Sequence, residues 1–285
     1  FNTSIRSVAS PSPPLGRGDG EGDFVPSTSM TVVAPANRFL VLLIGLLICA
    51  GCDRGPSTEG RPSSTPSGTK PSITTPLPYG TGAWQLRRHT ELNAIARRGD
   101  IDLVFLGDSI TQRWSEAGRE VWRSYYGKRK AANFGMDADR TQHVLWRIEH
   151  GNFDGIHPKA IVVLIGDNNS IDGNTPQEIA DGVMALVQKL REKVPESKIL
   201  LLAIFPSGER PDDHSRVRAT AANTIFQSVA DGKMIRYLDI GNRFTNPDGT
   251  ISRVIMPDFD HLSGDGYLLW AEAIEPVVKD LLGER

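Results

Sequence analysis

A three-layer α/β/α sandwich, a parallel sheet covered by helices on both faces, is the fold class that the sequence predicts. Three observations carry it. Beyond Asp100, apolar runs of strand length alternate with amphipathic stretches of helix length, the pattern of strands joined by helical crossovers. Several of those runs are apolar almost throughout, as happens when both faces of a sheet are covered. They end in turns bearing glycine and aspartate, at the strand ends where parallel sheets place their ligands.

The 285 residues divide by composition. Residues 1–29 are rich in Ser, Pro and Gly without apolar periodicity, which predicts a disordered or untranslated leader. Residues 30–51 read as a signal peptide: a short segment with one positive charge, a nearly continuous Leu/Val/Ile run from Phe39 to Ile48, then the small residues Ala50 and Gly51. An apolar run of about 13 residues falls short of the roughly 20 that span a bilayer. "LLICAGCD" resembles the lipobox of bacterial lipoproteins, which implies lipidation of Cys52 and an exported, membrane-anchored protein, periplasmic or at the cell surface. Residues 52–78, a string of Ser, Thr, Pro and Gly, form a tether, and 79–285 form the folded domain. That domain contains no cysteine, so its core alone must hold it. A net charge of −2 without a basic block excludes a nucleic-acid surface.

Five strands are expected within the domain. They are "IDLVFLG" (101–107), "KAANFG" (130–135), "KAIVVLIG" (159–166), "KILLLAIFP" (198–206) and "MIRYLDIG" (234–241). The clearest helix covers residues 176–191, where Ile179, Val183, Leu186, Val187 and Leu190 share one face. Thr175, Pro176 and Glu178 supply its cap, first-turn proline and capping-box partner. Residues 139–150, 213–230 and 263–282 are the other long helices, with a kink expected at Pro276.

Ser109 stands where the first strand gives way to helix, in "LGDSIT". There a serine is either a plain N-cap or a nucleophile. No phosphate-loop pattern surrounds it, and Thr111 replaces the last glycine of a G-x-S-x-G elbow. A serine nucleophile needs a base, and "MPDFDHLSGDGY" offers Asp258, Asp260 and His261. A carboxylate three residues before a histidine can fold back onto one ring nitrogen and free the other. Read in isolation, the stretch is equally a polar surface turn. Asp137, Asp139 and Asp167 read as helix caps, or else as the acidic metal cluster of a phosphatase or nuclease. Trp114, Trp122 and Trp146 read as packing residues. The six histidines show no paired ligand spacing, so no metal or other cofactor is expected.

In combination these residues resemble the SGNH, or GDSL, hydrolase superfamily, whose four blocks occur here in order as "LGDSIT", "NFGMDADRT", "IGDNN" and Asp258-x-x-His261. "NFGMDADRTQHVLWRIEHG", "KAIVVLIGDNN" and "FPSGERP" resemble the platelet-activating factor acetylhydrolase Ib catalytic-subunit branch, over essentially all of 84–282. The resemblance implies a flavodoxin-like five-stranded sheet and a serine esterase. Ser109 would be nucleophile, His261 general base and then acid, and Asp258 the orienting carboxylate. The amides of Ser109 and Ala138, with the Asn168 side chain, would form the oxyanion hole. Ala138 replaces the usual glycine, a substitution that costs about 1 kcal/mol or more if φ is positive there. Asp260 stands where relatives of this branch carry an apolar residue, and is expected to face water or a polar substrate. The expected partner is a small ester, foremost an acetyl ester on a carbohydrate or lipid. The alternative is a non-catalytic surface lipoprotein that binds acylated glycan or lipid.

Overall fold

Strands apolar on both faces require helical cover on both sides, and a computed structural model supplies it. The structure describes residues 72–80 and 82–285. The leader, the signal peptide with Cys52, and the tether up to residue 71 lie outside those residues. The five strands are β1 (Leu103–Gly107), β2 (Ala131–Gly135), β3 (Ala160–Leu164), β4 (Lys198–Leu202) and β5 (Ile235–Leu238). All pair in parallel, in the order β2-β1-β3-β4-β5. This is the flavodoxin-like order, which reverses direction between β1 and β3 and opens a crevice at their carboxyl ends.

Alternate side chains of each strand feed the two layers. Val104, Leu106, Ile161, Val163, Ile199 and Leu201 face one core with α1 (Ala83–Arg98), α4 (Thr141–Arg147), α6 (Pro176–Lys193) and α7 (His214–Phe226). Leu103, Phe105, Val162 and Leu200 face the other, formed mainly by α3 (Arg119–Tyr125) and α8 (Gly264–Leu282). In that second core Trp114 meets Phe105, Tyr126, Tyr267 and Trp270 at 4.5–5.9 Å between ring centroids. Trp114 is a buried packing residue; Trp122 and Trp146 are half-buried.

The capping box at α6 is formed as expected: Glu178 N donates to Thr175 Oγ1 at 3.2 Å, and Thr175 N to Glu178 Oε2 at 2.7 Å. Other boundaries differ from expectation. The helix expected over 139–150 starts at Thr141 and passes into a wider turn over Ile148–Asn152, broken where Gly151 takes φ +107°. The helix expected over 213–230 ends its α-helical run at Phe226, and α8 runs unbroken through Pro276. Part of the expected tether also belongs to the fold. Ile73 is buried, its carbonyl accepts from Thr141 Oγ1, and the Leu77 amide donates to the Gln142 carbonyl.

Candidate active site

Parallel strands deliver their following turns to one rim, and the turns after β1, β2 and β3 meet there. After β1, Asp108 rather than Ser109 caps the short helix α2 (Ser109–Gln112), its Oδ1 accepting from Ile110 N at 3.0 Å. The Ser109 hydroxyl is thereby released from capping. It lies 3.0 Å from His261 Nε2, although the two residues are 152 positions apart. The opposite ring nitrogen, Nδ1, lies 2.8 Å from Asp258 Oδ2. Asp258 Oδ1 accepts from the backbone amide of His261 at 2.7 Å, so one carboxylate fixes both the loop and the ring.

Partial burial pushes the Asp258 pKa up, but its hydrogen bonds with the His261 amide and ring prevail and hold it below the ordinary carboxylate value. Arg113 Nη1 adds a positive charge 3.8 Å from Asp258 Oδ2. Phe259, between the two aspartates, takes φ +62° with the Arg253 guanidinium 4.1 Å over its ring. A hydroxyl bonded to an imidazole that is oriented by a carboxylate is the arrangement that activates a serine for attack on a carbonyl.

The turn after β2 is sewn to the same rim. Met136 N donates to Gly107 O, and Asp137 N donates to Gln112 Oε1. Ala138 has φ +58°, a left-handed conformation that costs an alanine about 1–2 kcal/mol. After β3, Asn168 in α5 (Asp167–Ile171) donates through Nδ2 to the Asp139 carbonyl at 3.0 Å. Among the described residues, neither the Ser109 amide nor the Ala138 amide donates to another protein group. Unpaired amides at a strand-end rim are suited to receive a developing oxyanion.

The aspartates differ from expectation. Asp139 does not cap α4; it is wholly buried and paired with Arg147, and burial raises its pKa to about 6 although Arg147 opposes the shift. Asp167 caps nothing either. It accepts from Ser207 Oγ at 3.0 Å, and the Asp260 carboxylate is near enough to act on it electrostatically. Burial first, then the charges of Asp260 and Asp108, holds Asp167 well above the ordinary carboxylate range. Asp260 therefore does not simply face water, because its Oδ1 is buried without a donor and Oδ2 lies 3.5 Å from His261 Nδ1. Among the described residues no group of three or more His, Cys, Asp or Glu is arranged to hold a metal ion.

Residues 105–269 match the GDSL-like Lipase/Acylhydrolase family. Platelet-activating factor acetylhydrolase IB subunit alpha2 of Rattus norvegicus is 34% identical over 205 residues, which cover 72% of this chain and 87% of that protein. Among solved structures, a GDSL-like lipase from Bacteroides thetaiotaomicron superposes with a TM-score of 0.56 at 16% identity, covering 68% of this chain and 97% of the other. An acetylxylan esterase from Geobacillus stearothermophilus, solved as a catalytic mutant, gives 0.51 at 16% identity over 64% and 94%. At such identities the two structures share the fold alone.

Proposed function

The chain belongs to the GDSL-like lipase/acylhydrolase family and is a carboxylic ester hydrolase; on that premise we propose that it removes short acyl groups, acetyl foremost, through Ser109, His261 and Asp258. The observation that carries this reading is the continuous relay from Ser109 Oγ through His261 to Asp258, with links of 3.0 and 2.8 Å. His261 takes the serine proton as Ser109 attacks the ester carbonyl. The amides of Ser109 and Ala138 and the Asn168 carboxamide stabilise the tetrahedral oxyanion. The imidazolium then protonates the leaving alcohol, and the neutral ring activates water to release the acyl group.

Acetyl preference is supported by the acetylhydrolase relative, and the Asp258 and Asp260 carboxylates beside His261 make its surrounding polar. A polar acceptor, such as an acetylated carbohydrate, suits that surrounding. Anchoring through a lipid on Cys52 rests on the sequence of the export segment alone. The test of the reaction is labelling with a fluorophosphonate together with turnover of p-nitrophenyl esters of increasing chain length. Wild type should label, Ser109→Ala should not, and turnover should fall as the acyl chain lengthens. Labelling of Ser109→Ala would remove the assigned nucleophile, and turnover rising toward long chains would overturn the acetyl preference.

A further inference from the structure

Beneath the turn that carries Ala138 lies a buried ion pair with no part in the relay. Arg147 and Asp139 are 2% and 0% exposed. The guanidinium reaches Asp139 Oδ2 from Nε at 2.8 Å and from Nη2 at 2.6 Å. Its Nη1 donates to Asn152 Oδ1 at 2.5 Å, and Nη2 also approaches the carbonyls of Phe134 at 3.2 Å and Gly107 at 3.4 Å. One cation thus ties the ends of β1 and β2 to the turn between β2 and α4. Gly107 lies two residues before Ser109, and Asp139 directly follows Ala138. The Asp139 carbonyl, moreover, is the acceptor for Asn168 Nδ2.

We propose that Asp139 and Arg147 are positioning residues for the oxyanion hole: the pair holds Ala138 in its left-handed conformation, and through the Asp139 carbonyl it fixes the Asn168 carboxamide. The inference rests on reading Ala138 and Asn168 as oxyanion donors. An alanine left to itself abandons φ +58° for negative φ, which turns its amide away from where it points now. A carboxylate locked by a buried two-point guanidinium contact one residue away opposes that relaxation. With one Asn168 N–H committed to Asp139, the carboxamide has a single orientation and a second N–H to offer.

The test is a double-mutant cycle between Asp139→Asn and Ala138→Gly. It is read as kcat and KM for p-nitrophenyl acetate per active site titrated with fluorophosphonate. Asp139→Asn should lower kcat about 100-fold with KM little changed, the mark of an interaction made in the transition state. In the Ala138→Gly background the same substitution should cost at least about tenfold less, since glycine holds a positive φ unaided. Arg147→Lys, which keeps the charge but not the fork, should show the same dependence on residue 138 if Asp139→Asn does not fold. A pair that only stabilises the fold would reduce the number of titratable sites and leave kcat per site unchanged, and that result overturns the proposal. Equal losses in the alanine and glycine backgrounds overturn it as well. Asn168→Ala separates the two levels of the argument. Unchanged kcat in that variant would sink the oxyanion reading itself, whereas a crippled Asn168→Ala beside an intact Asp139→Asn would sink the positioning role alone.

Discussion

Replacing Gly107 with alanine adds one methyl group at the junction of the sheet and the site. A Cβ built at Gly107 meets the Leu164 carbonyl oxygen at 2.2 Å and Thr111 Oγ1 at 2.3 Å, where ordinary contact begins near 3.4 Å. Thr111 can rotate, but Leu164 is paired with Gly107 in the centre of the sheet and has no such freedom. To accept the methyl group, β1 and β3 must part by about 1 Å at their carboxyl ends. Overpacking of this kind costs about 1–3 kcal/mol, and for a domain of this size the melting temperature should fall by about 2–12 °C. The larger effect should be on rate. Ser109 lies two residues beyond the displaced atom, and a 1 Å misplacement of a reacting group costs about 100-fold in turnover. The assay is p-nitrophenyl acetate hydrolysis per titrated site, beside thermal melts followed by circular dichroism. A folded Gly107→Ala protein with kcat within about threefold of wild type would refute the claim that the β1–β3 junction sets the position of the nucleophile.

Three further outcomes are expected. Asp258→Asn should lower kcat by about 1,000-fold or more; Asp260 Oδ2, 3.5 Å from His261 Nδ1, can supply part of the lost charge, so Asp258→Asn/Asp260→Asn should lose more, and equal losses would remove Asp260 from the account. Burial first, then the Arg140 and Arg147 charges, lowers the His143 pKa to about 4, so the unfolded chain takes up this proton at higher pH than the folded one. His143 therefore supports stability above about pH 6.5 and loses that contribution as pH falls toward 4, by at most about 3 kcal/mol; urea unfolding should show a steeper acid loss for wild type than for His143→Gln, and parallel curves would contradict this. Trp114→Ala should cost about 3–5 kcal/mol in the same assay, because the ring is 1% exposed among five other aromatics; a loss below about 1 kcal/mol would show that the cluster closes over the gap.

All five strands are legible in the sequence because four of them are built largely from residues the core buries, and the parallel order follows from the helices between them. The ends are less legible. "MIRYLDIG" looks like strand to Gly241, but pairing stops at Leu238, where the chain leaves an edge strand. The first helix, Ala83–Arg98, offers no apolar stripe to read, since it buries only Leu92 and Ala96. The seryl and imidazole groups could be singled out because they stand in short motifs at strand ends. The groups around them could not: Arg147 looks like one more polar residue of a helix, and its meaning lies in Gly107, Phe134 and Asp139, brought to it by the fold. Asp167 and Asp260 are likewise 93 residues apart in the chain, and only folding brings their charges to act on one another.

The proposed nucleophile and its proposed base are carried by parts of very different firmness. Ser109 follows a central strand paired on both sides, while Asp258 and His261 sit on an irregular stretch between residue 244 and α8. That stretch is moored by Ile251, Met256 and Leu262 in the core and by a few main-chain bonds such as Gly208 N to Phe259 O at 2.8 Å. Segments of this kind open at lower free energy than the sheet beneath them. Rising denaturant should therefore silence the protein by pulling the imidazole off the serine while its helices and strands are still intact, so that loss of activity runs ahead of loss of shape.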